Sequence, residues 1–188
     1  MFKEEINSIF SSKCFILTEA REKLLPLLDK ITKQAGVPAM IIGGAALSKY
    51  NYNRSTEDID IVTTVDDAYK IGDLLQLNKD FTFIGNSKFK HIPSGLSINF
   101  CPEGVKAGHG KFPKPEGSEP GLHYVKLPSL LAMKIQAKRQ KDRGDYVELI
   151  KRNAIPWHFI EQEVLPLLSS MDKKWATILW KQAQKESL

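Results

Sequence analysis

The sequence predicts an α+β fold, and three observations carry the prediction. Residues 18–35 place Leu24, Leu25, Leu28 and Ile31 at the spacing of one helix face. Two short apolar runs, 39–42 and 58–62, are bounded by turn formers or carboxylates and read as buried strands. From Pro128 onward the pattern is helical throughout. Helix first, then strands mixed with helices, then helices alone is the order of an α+β core with a helical C-terminal part. The chain is expected to divide at 127/128, as two regions or as one compact domain.

Each element has its own signal. Thr18 is the expected N-cap of the first helix, which Gly36 closes and Pro38 ends. Gly43 and Gly44 follow the first strand, and AALSKY after them reads as a helix start. Residues 66–77 carry Ala68, Ile71, Leu74 and Leu75 at helical spacing. Three short strands are expected at 81–84, 88–92 and 96–100, and another at 123–127. Between them, 102–121 is rich in Gly, Pro and Lys and reads as one long loop. A helix led by Pro128 shows Leu130, Met133 and Ala137 on one face and is expected to run to about Lys141. Further helices are expected at 146–152, from Pro156, and at 171–186.

The 188 residues are 42% hydrophobic and 26% charged, which supports a packed core and argues against wholesale disorder. Net charge is +5 and the pI about 9.1, a mild bias toward polyanionic partners such as nucleotides or RNA. Cys14 and Cys101 have neither metal-ligand nor disulfide-framework spacing, so two reduced thiols are expected. The start, MFKEEINSIF, carries acids and lacks a long apolar run, and no apolar run anywhere reaches the ~18 residues of a membrane span. A soluble, cytoplasmic protein with no membrane partner is expected.

The stretch RSTEDIDIV, residues 54–62, carries the chemistry. In a strand, side chains at i and i+2 share a face. Asp58 and Asp60 therefore lie on one face, and Ile59 and Ile61 on the other. Two carboxylates this close repel unless a cation sits between them, and hard oxygen ligands suit Mg²⁺ or Mn²⁺. Upstream, Ile42-Gly43-Gly44 ends a strand in a turn that permits close backbone approach. A helix after that turn would offer N–H groups to a phosphate. Each half alone is commonly structural. A Gly-Gly pair is most often a turn, and an Asp-x-Asp is often a solvated strand end. Together they describe a site for phosphoryl or nucleotidyl transfer, with metal bridging phosphates to the carboxylates.

This arrangement resembles the signature of the nucleotidyltransferase superfamily, the DNA polymerase beta-like fold: apolar, Gly, Gly or Ser, a spacer, then Asp, apolar, Asp or Glu, apolar. The matching residues are Ile42-Gly43-Gly44 and Asp58-Ile59-Asp60-Ile61, with Arg54-x-Thr56-x-Asp58 similar to the lead-in of the AbiEii-type branch, which includes nucleotide-transferring bacterial toxins. A looser likeness covers LPSLLAMKIQAKRQKDRGDYVEL, where Lys134 and Asp145 match best and Asp142 rivals Asp145. The resemblance implies a nucleotidyltransferase-like mixed sheet flanked by helices, with NTP as substrate. It implies metal on Asp58 and Asp60, triphosphate on Gly43, Gly44 and Lys134, and Arg54 and Thr56 supporting strand and turn. It implies catalytic roles for Asp58, Asp60, Lys134 and Asp145. Acceptors in order are tRNA or another RNA, a protein side chain, and a small molecule such as an aminoglycoside; an antitoxin is a further possible partner.

Spacing agrees with the second block. On one continuing helix Lys134, Lys138, Lys141 and Asp145 would align, unless Gly144 interrupts it. A solvated basic face, or one that tracks an RNA backbone, fits the same residues. The superfamily's third carboxylate is expected on strand 96–100, where this chain has Asn99. An amide brings no charge and accepts no proton at neutral pH. Glu103, Asp142 or Asp145 then serves instead, the acceptor is activated otherwise, or the protein is a binding module without fast catalysis. His91, His109 and His123 read as surface or loop residues, Trp157, Trp175 and Trp180 as core packing, and Lys111 and Lys114 as solvated.

Overall fold

The computed structural model describes residues 2–187, with side chains described from residue 15 onward; Cys14 lies outside those side chains. The elements are α1 (Phe2–Ala35), β1 (Pro38–Ile42), a 3₁₀ helix (Ala45–Tyr50), β2 (Asp58–Thr63), α2 (Val65–Gln76), β3 (Phe81–Gly85), β4 (Lys88–His91), β5 (Ser97–Pro102), β6 (Lys106–Ala107), β7 (Gly110–Lys111), β8 (Gly121–Tyr124), α3 (Leu127–Ala137), α4 (Gln140–Arg152), α5 (Trp157–Phe159) and α6 (Ser170–Glu186). A π turn at Ile160–Val164 and a 3₁₀ turn at Leu165–Leu167 link α5 to α6.

The strands form one mixed sheet in the order β3-β4-β5-β2-β1-β8, and β6 and β7 form a separate hairpin. β2 runs antiparallel to β1 and parallel to β5, so the carboxylate-bearing strand is central. Alternation then assigns the faces. Ile41 stands beside Ile61, and Phe100 also pairs with Ile61. These residues face α1 and α2, which pack on each other and on β1, β3, β5 and β8. Ile42 and Asp60 face the other way, toward α3. One core runs from Leu24 on α1 to Ala183 on α6 and crosses the 127/128 junction without a break.

Several expected boundaries move, each for a physical reason. α1 begins at Phe2 rather than Thr18, so Thr18 is mid-helix and caps nothing. AALSKY is six residues of 3₁₀ helix and ends at Asn51 in the left-handed region. The 102–121 segment holds the β6–β7 hairpin, whose strands are too short to leave a periodic signal. The strand expected at 123–127 lies at Gly121–Tyr124. α3 stops at Ala137, because Lys138 turns left-handed (φ 59°) and donates its N–H back to Ile135 O. Arg139 is extended and opens α4, which begins at Gln140, well before Tyr146. Gly144, the expected interruption, sits inside α4 with open space around it. The helix expected from Pro156 is one α turn followed by π and 3₁₀ turns. No helix among the described residues is long and apolar enough to cross a membrane.

Candidate functional site

Ladder register places the site's residues before any side chain is considered. Ile42 pairs with Asp60, Asp60 with Asn99, and Asn99 with Lys88. These four residues form one row across β1, β2, β5 and β4, on the face toward α3. Two residues earlier along β2, Asp58 shares that face and is exposed, while Ile59 and Ile61 are fully buried on the other. The i, i+2 reading of RSTEDIDIV and the assignment of Asn99 to the level of Asp60 therefore agree with the structure.

The paired glycines bring polar groups against the turn. Gly43 is left-handed (φ 66°), and a Cβ there would overlap Asp60 Oδ2. At Gly44 a Cβ would lie 3.0 Å from Arg54 Nη2 and 3.0 Å from Thr56 Oγ1. Both absent side chains are needed, one for a carboxylate and one for a guanidinium and a hydroxyl. Thr56 Oγ1 also donates to Asp58 O at 3.1 Å, which tightens the lead-in to β2. The 3₁₀ helix after the turn is too short for the anion site expected at its start.

Neither Asp58 nor Asp60 forms an ion pair among the described residues. Burial pushes the Asp60 carboxyl above its ordinary value, and the Asp58 charge pushes the same way. Asn99 Nδ2 donates to Asp60 Oδ1 at 2.8 Å and offsets part of that rise, with smaller help from Lys134 and Arg139. Asn99 Oδ1 is buried without a hydrogen-bond partner. Glu103 lies four residues beyond Asn99, roughly 13 Å along a strand, too far to replace it beside Asp60.

Lys134 and Asp145 do meet, by a different route from the one the spacing suggested. The break at Lys138 folds α4 back on α3, and Lys134 Nζ donates to Asp145 Oδ2 at 2.7 Å and to Asp142 Oδ1 at 3.1 Å. Lys134 is 4% exposed, so it belongs to no solvated basic face, and its ammonium is turned to α4 rather than to the Gly43–Gly44 turn. Lys138 and Lys141 are not aligned with it. Asp145 also faces Arg54, whose Nε lies 3.1 Å from Oδ1. At the other end, Arg139 Nε donates to Asp142 Oδ2. Burial pushes Asp142 up, but Arg139 and Lys134 outweigh it and hold the carboxyl below its ordinary value. The sequence reading missed Arg139, and no spacing rule marks it.

A cavity of about 370 Å³ opens beside Asp60, between the sheet and α3. Gly43, Asp60, Lys134, Arg139 and Asp142 form its polar side, and Phe112, Leu130 and Met133 are on its apolar side. Cys101 also faces it, and burial and the Asp60 charge push that thiol up to about 12, which keeps it protonated and unreactive. The β6–β7 hairpin adds Ala107 and Gly108 to the wall. It is anchored by His109 N–H donating to Gln136 O, with the His109 ring 3.9 Å from buried Asp172. Of the tryptophans, Trp157 and Trp180 pack on each other at 5.3 Å and on the core, and Trp175 lies under Arg143.

No group of three or more His, Cys, Asp or Glu positioned for a metal occurs among the described residues. The carboxylates that interact here are those of Asp58 and Asp60, with the Asn99 amide nitrogen turned to Asp60. No model of a known protein family matches the chain, and no curated protein does.

Proposed function

We propose that this chain is a nucleotidyltransferase that moves a nucleoside monophosphate from an NTP to an acceptor hydroxyl, built on a nucleotidyltransferase-type sheet. One observation carries the reading. Asp60 is seated on the α-carbon of Gly43, with Asp58 beside it on the same face, and neither forms an ion pair among the described residues. Elsewhere in this protein, carboxylates brought this close are compensated by lysine or arginine.

The residues fit a hard divalent ion. Asp58 and Asp60 would hold Mg²⁺ or Mn²⁺, while Asn99, which turns its amide nitrogen to Asp60, orients that carboxylate. Such an ion, when bound, neutralises charge on the phosphates and on the attacking and leaving oxygens. The chain's own residues do the rest. Gly43 and Gly44 let the turn lie close to the carboxylate, and Arg54, braced by Asp145, presents its outer nitrogens beside Gly44. The raised Asp60 must lose its proton before it can hold a cation, so metal affinity rises with pH through its titration. Asn99 cannot take a proton from the acceptor, so that task falls to solvent or to the acceptor's own surroundings. Acceptors in order of preference remain RNA, a protein side chain and a small molecule, and the cytoplasm, where NTPs are plentiful, is the place of action.

Asn99 also favours a second reading: a module of the same fold that binds nucleotide or RNA without transfer. Incubation with labelled NTPs, Mg²⁺ or Mn²⁺ and total RNA separates the two. Label transferred by the wild type and abolished in Asp60→Ala is expected of the enzyme. NTP binding with no transfer under either metal rejects it for the module, and neither binding nor transfer rejects both.

A further inference from the structure

The five charged residues that link the Gly44 turn to the cavity alternate in sign: Arg54, Asp145, Lys134, Asp142, Arg139. Three cations stand against two carboxylates, which leaves one positive charge in surplus. The surplus does not reside on Lys134, whose side chain is 5% exposed and whose ammonium serves both acids. It is available at the ends of the chain. Arg54 is the end at the turn. Arg139 is the other, with a side chain 63% exposed, and it borders the same cavity as Gly43 and Asp60.

The geometry points to Arg139 as a triphosphate-binding residue, which takes the place that the resemblance implies for Lys134; this inference rests on the nucleotidyltransferase reading. Asp142 accepts from Nε of Arg139, so both Nη groups, unbonded among the described residues, can donate as a planar fork suited to two phosphate oxygens. Lys134 and the two acids position the arginines: α3 holds Lys134, Lys134 holds Asp142 and Asp145, and each acid holds one guanidinium. The arrangement places one arginine beside Gly44 and the other on the cavity that Gly43 and Asp60 line. Their charge is directed at an anion that the carboxylates alone would repel. Arg139 emerges where α4 begins, in an extended residue just past the left-handed Lys138, so the backbone break that misaligns the basic face is also what turns this side chain toward the cavity.

Calorimetric titration of the full chain tests the assignment, with Mg²⁺ complexes of the four NTPs, the matching monophosphates, and inorganic tripolyphosphate. Arg139→Gln is expected to weaken triphosphate and tripolyphosphate binding by about tenfold or more, as for loss of a charge-assisted bidentate pair, and to change monophosphate binding by less than about twofold. Arg139→Lys should recover part of the loss. Two controls remove one charge elsewhere: Lys141→Gln, on the groove beyond Asp145, and Lys181→Gln, exposed on α6. Both should stay within about twofold, the range of a screened surface charge. Wild-type affinity in Arg139→Gln, an equal loss in monophosphate binding, or the same loss in either control overturns the assignment while leaving the transferase reading in place. A wild-type chain that binds no NTP at all overturns the transferase reading itself, and this inference with it.

Discussion

Two pairs of aspartates sit within one cavity's reach of each other and are treated in opposite ways. Asp142 and Asp145, one helical turn apart on α4, are buried to 1% exposure and share three cations. Asp58 and Asp60, one residue apart on β2, have hydrogen-bond help from a neutral amide and no ion pair among the described residues. The first pair is finished by the fold. The second is left with unbalanced charge, at a cost that burial makes worse. Where a fold supplies compensation in one place and withholds it in another, the uncompensated place is where a ligand's charge belongs.

The comparison breaks most visibly at Lys134. Lys134→Met removes the central cation and leaves two buried carboxylates short of charge, and about 3–5 kcal/mol of stability should be lost in urea melts. A loss below about 1 kcal/mol would mean that the two arginines suffice and that Lys134 is free for other work. Gly43→Ala is next: the left-handed φ and the overlap with Asp60 should together cost roughly 2 kcal/mol, with metal binding lost as the carboxylate is displaced. Unchanged stability there would separate Asp60 from the turn.

The smallest change has the opposite sign. Because the Asp60 carboxyl is raised, its folded form favours the proton. That contribution is present below the unfolded value of about 3.9 and is lost as pH rises through the folded value. At pH 7 the native chain therefore carries an unfavourable charge, and Asp60→Asn should stabilise it by on the order of 1 kcal/mol, or about 2–4 °C in Tm. The gain should shrink to nothing near pH 3, while metal binding is lost at every pH. Asp142 is held low and behaves in reverse: its stabilisation is present above the ordinary aspartate range and lost as pH falls through its folded value. Asp142→Asn should therefore destabilise at pH 7 and cost progressively less in acid. Thermal melts of both variants from pH 3 to 8 check the pair of slopes, and parallel slopes would remove the contrast between the two aspartate pairs.

The β2 pair was legible because its signal is local. Alternation sets Asp58 and Asp60 on one face, apolar flanks mark the strand, and Gly43-Gly44 marks the turn. Asn99 could be matched to Asp60 by strand order alone. The α4 pair was half legible. Lys134 and Asp145 stand out, but the sequence carries the first helix on to about Lys141, past the true stop at Ala137, since AKRQ contains neither Gly nor Pro to announce a break. A lysine in the left-handed region is not foreseen by propensity. Arg54 meeting Asp145 depends on α4 packing against the 3₁₀ helix, a contact between distant parts of the chain that no periodicity records.

The continuous core has an evolutionary consequence. The sheet face that carries Asp60 is covered by Leu130 and Met133 from beyond residue 127, and the same helical part anchors Arg54 through Asp145. A recombination event that exchanged the last third of this gene for that of a distant relative would uncover the sheet and unmoor an arginine of the first third in one step. The two portions are bound to be inherited together, and substitutions on one side of that seam are to be answered on the other.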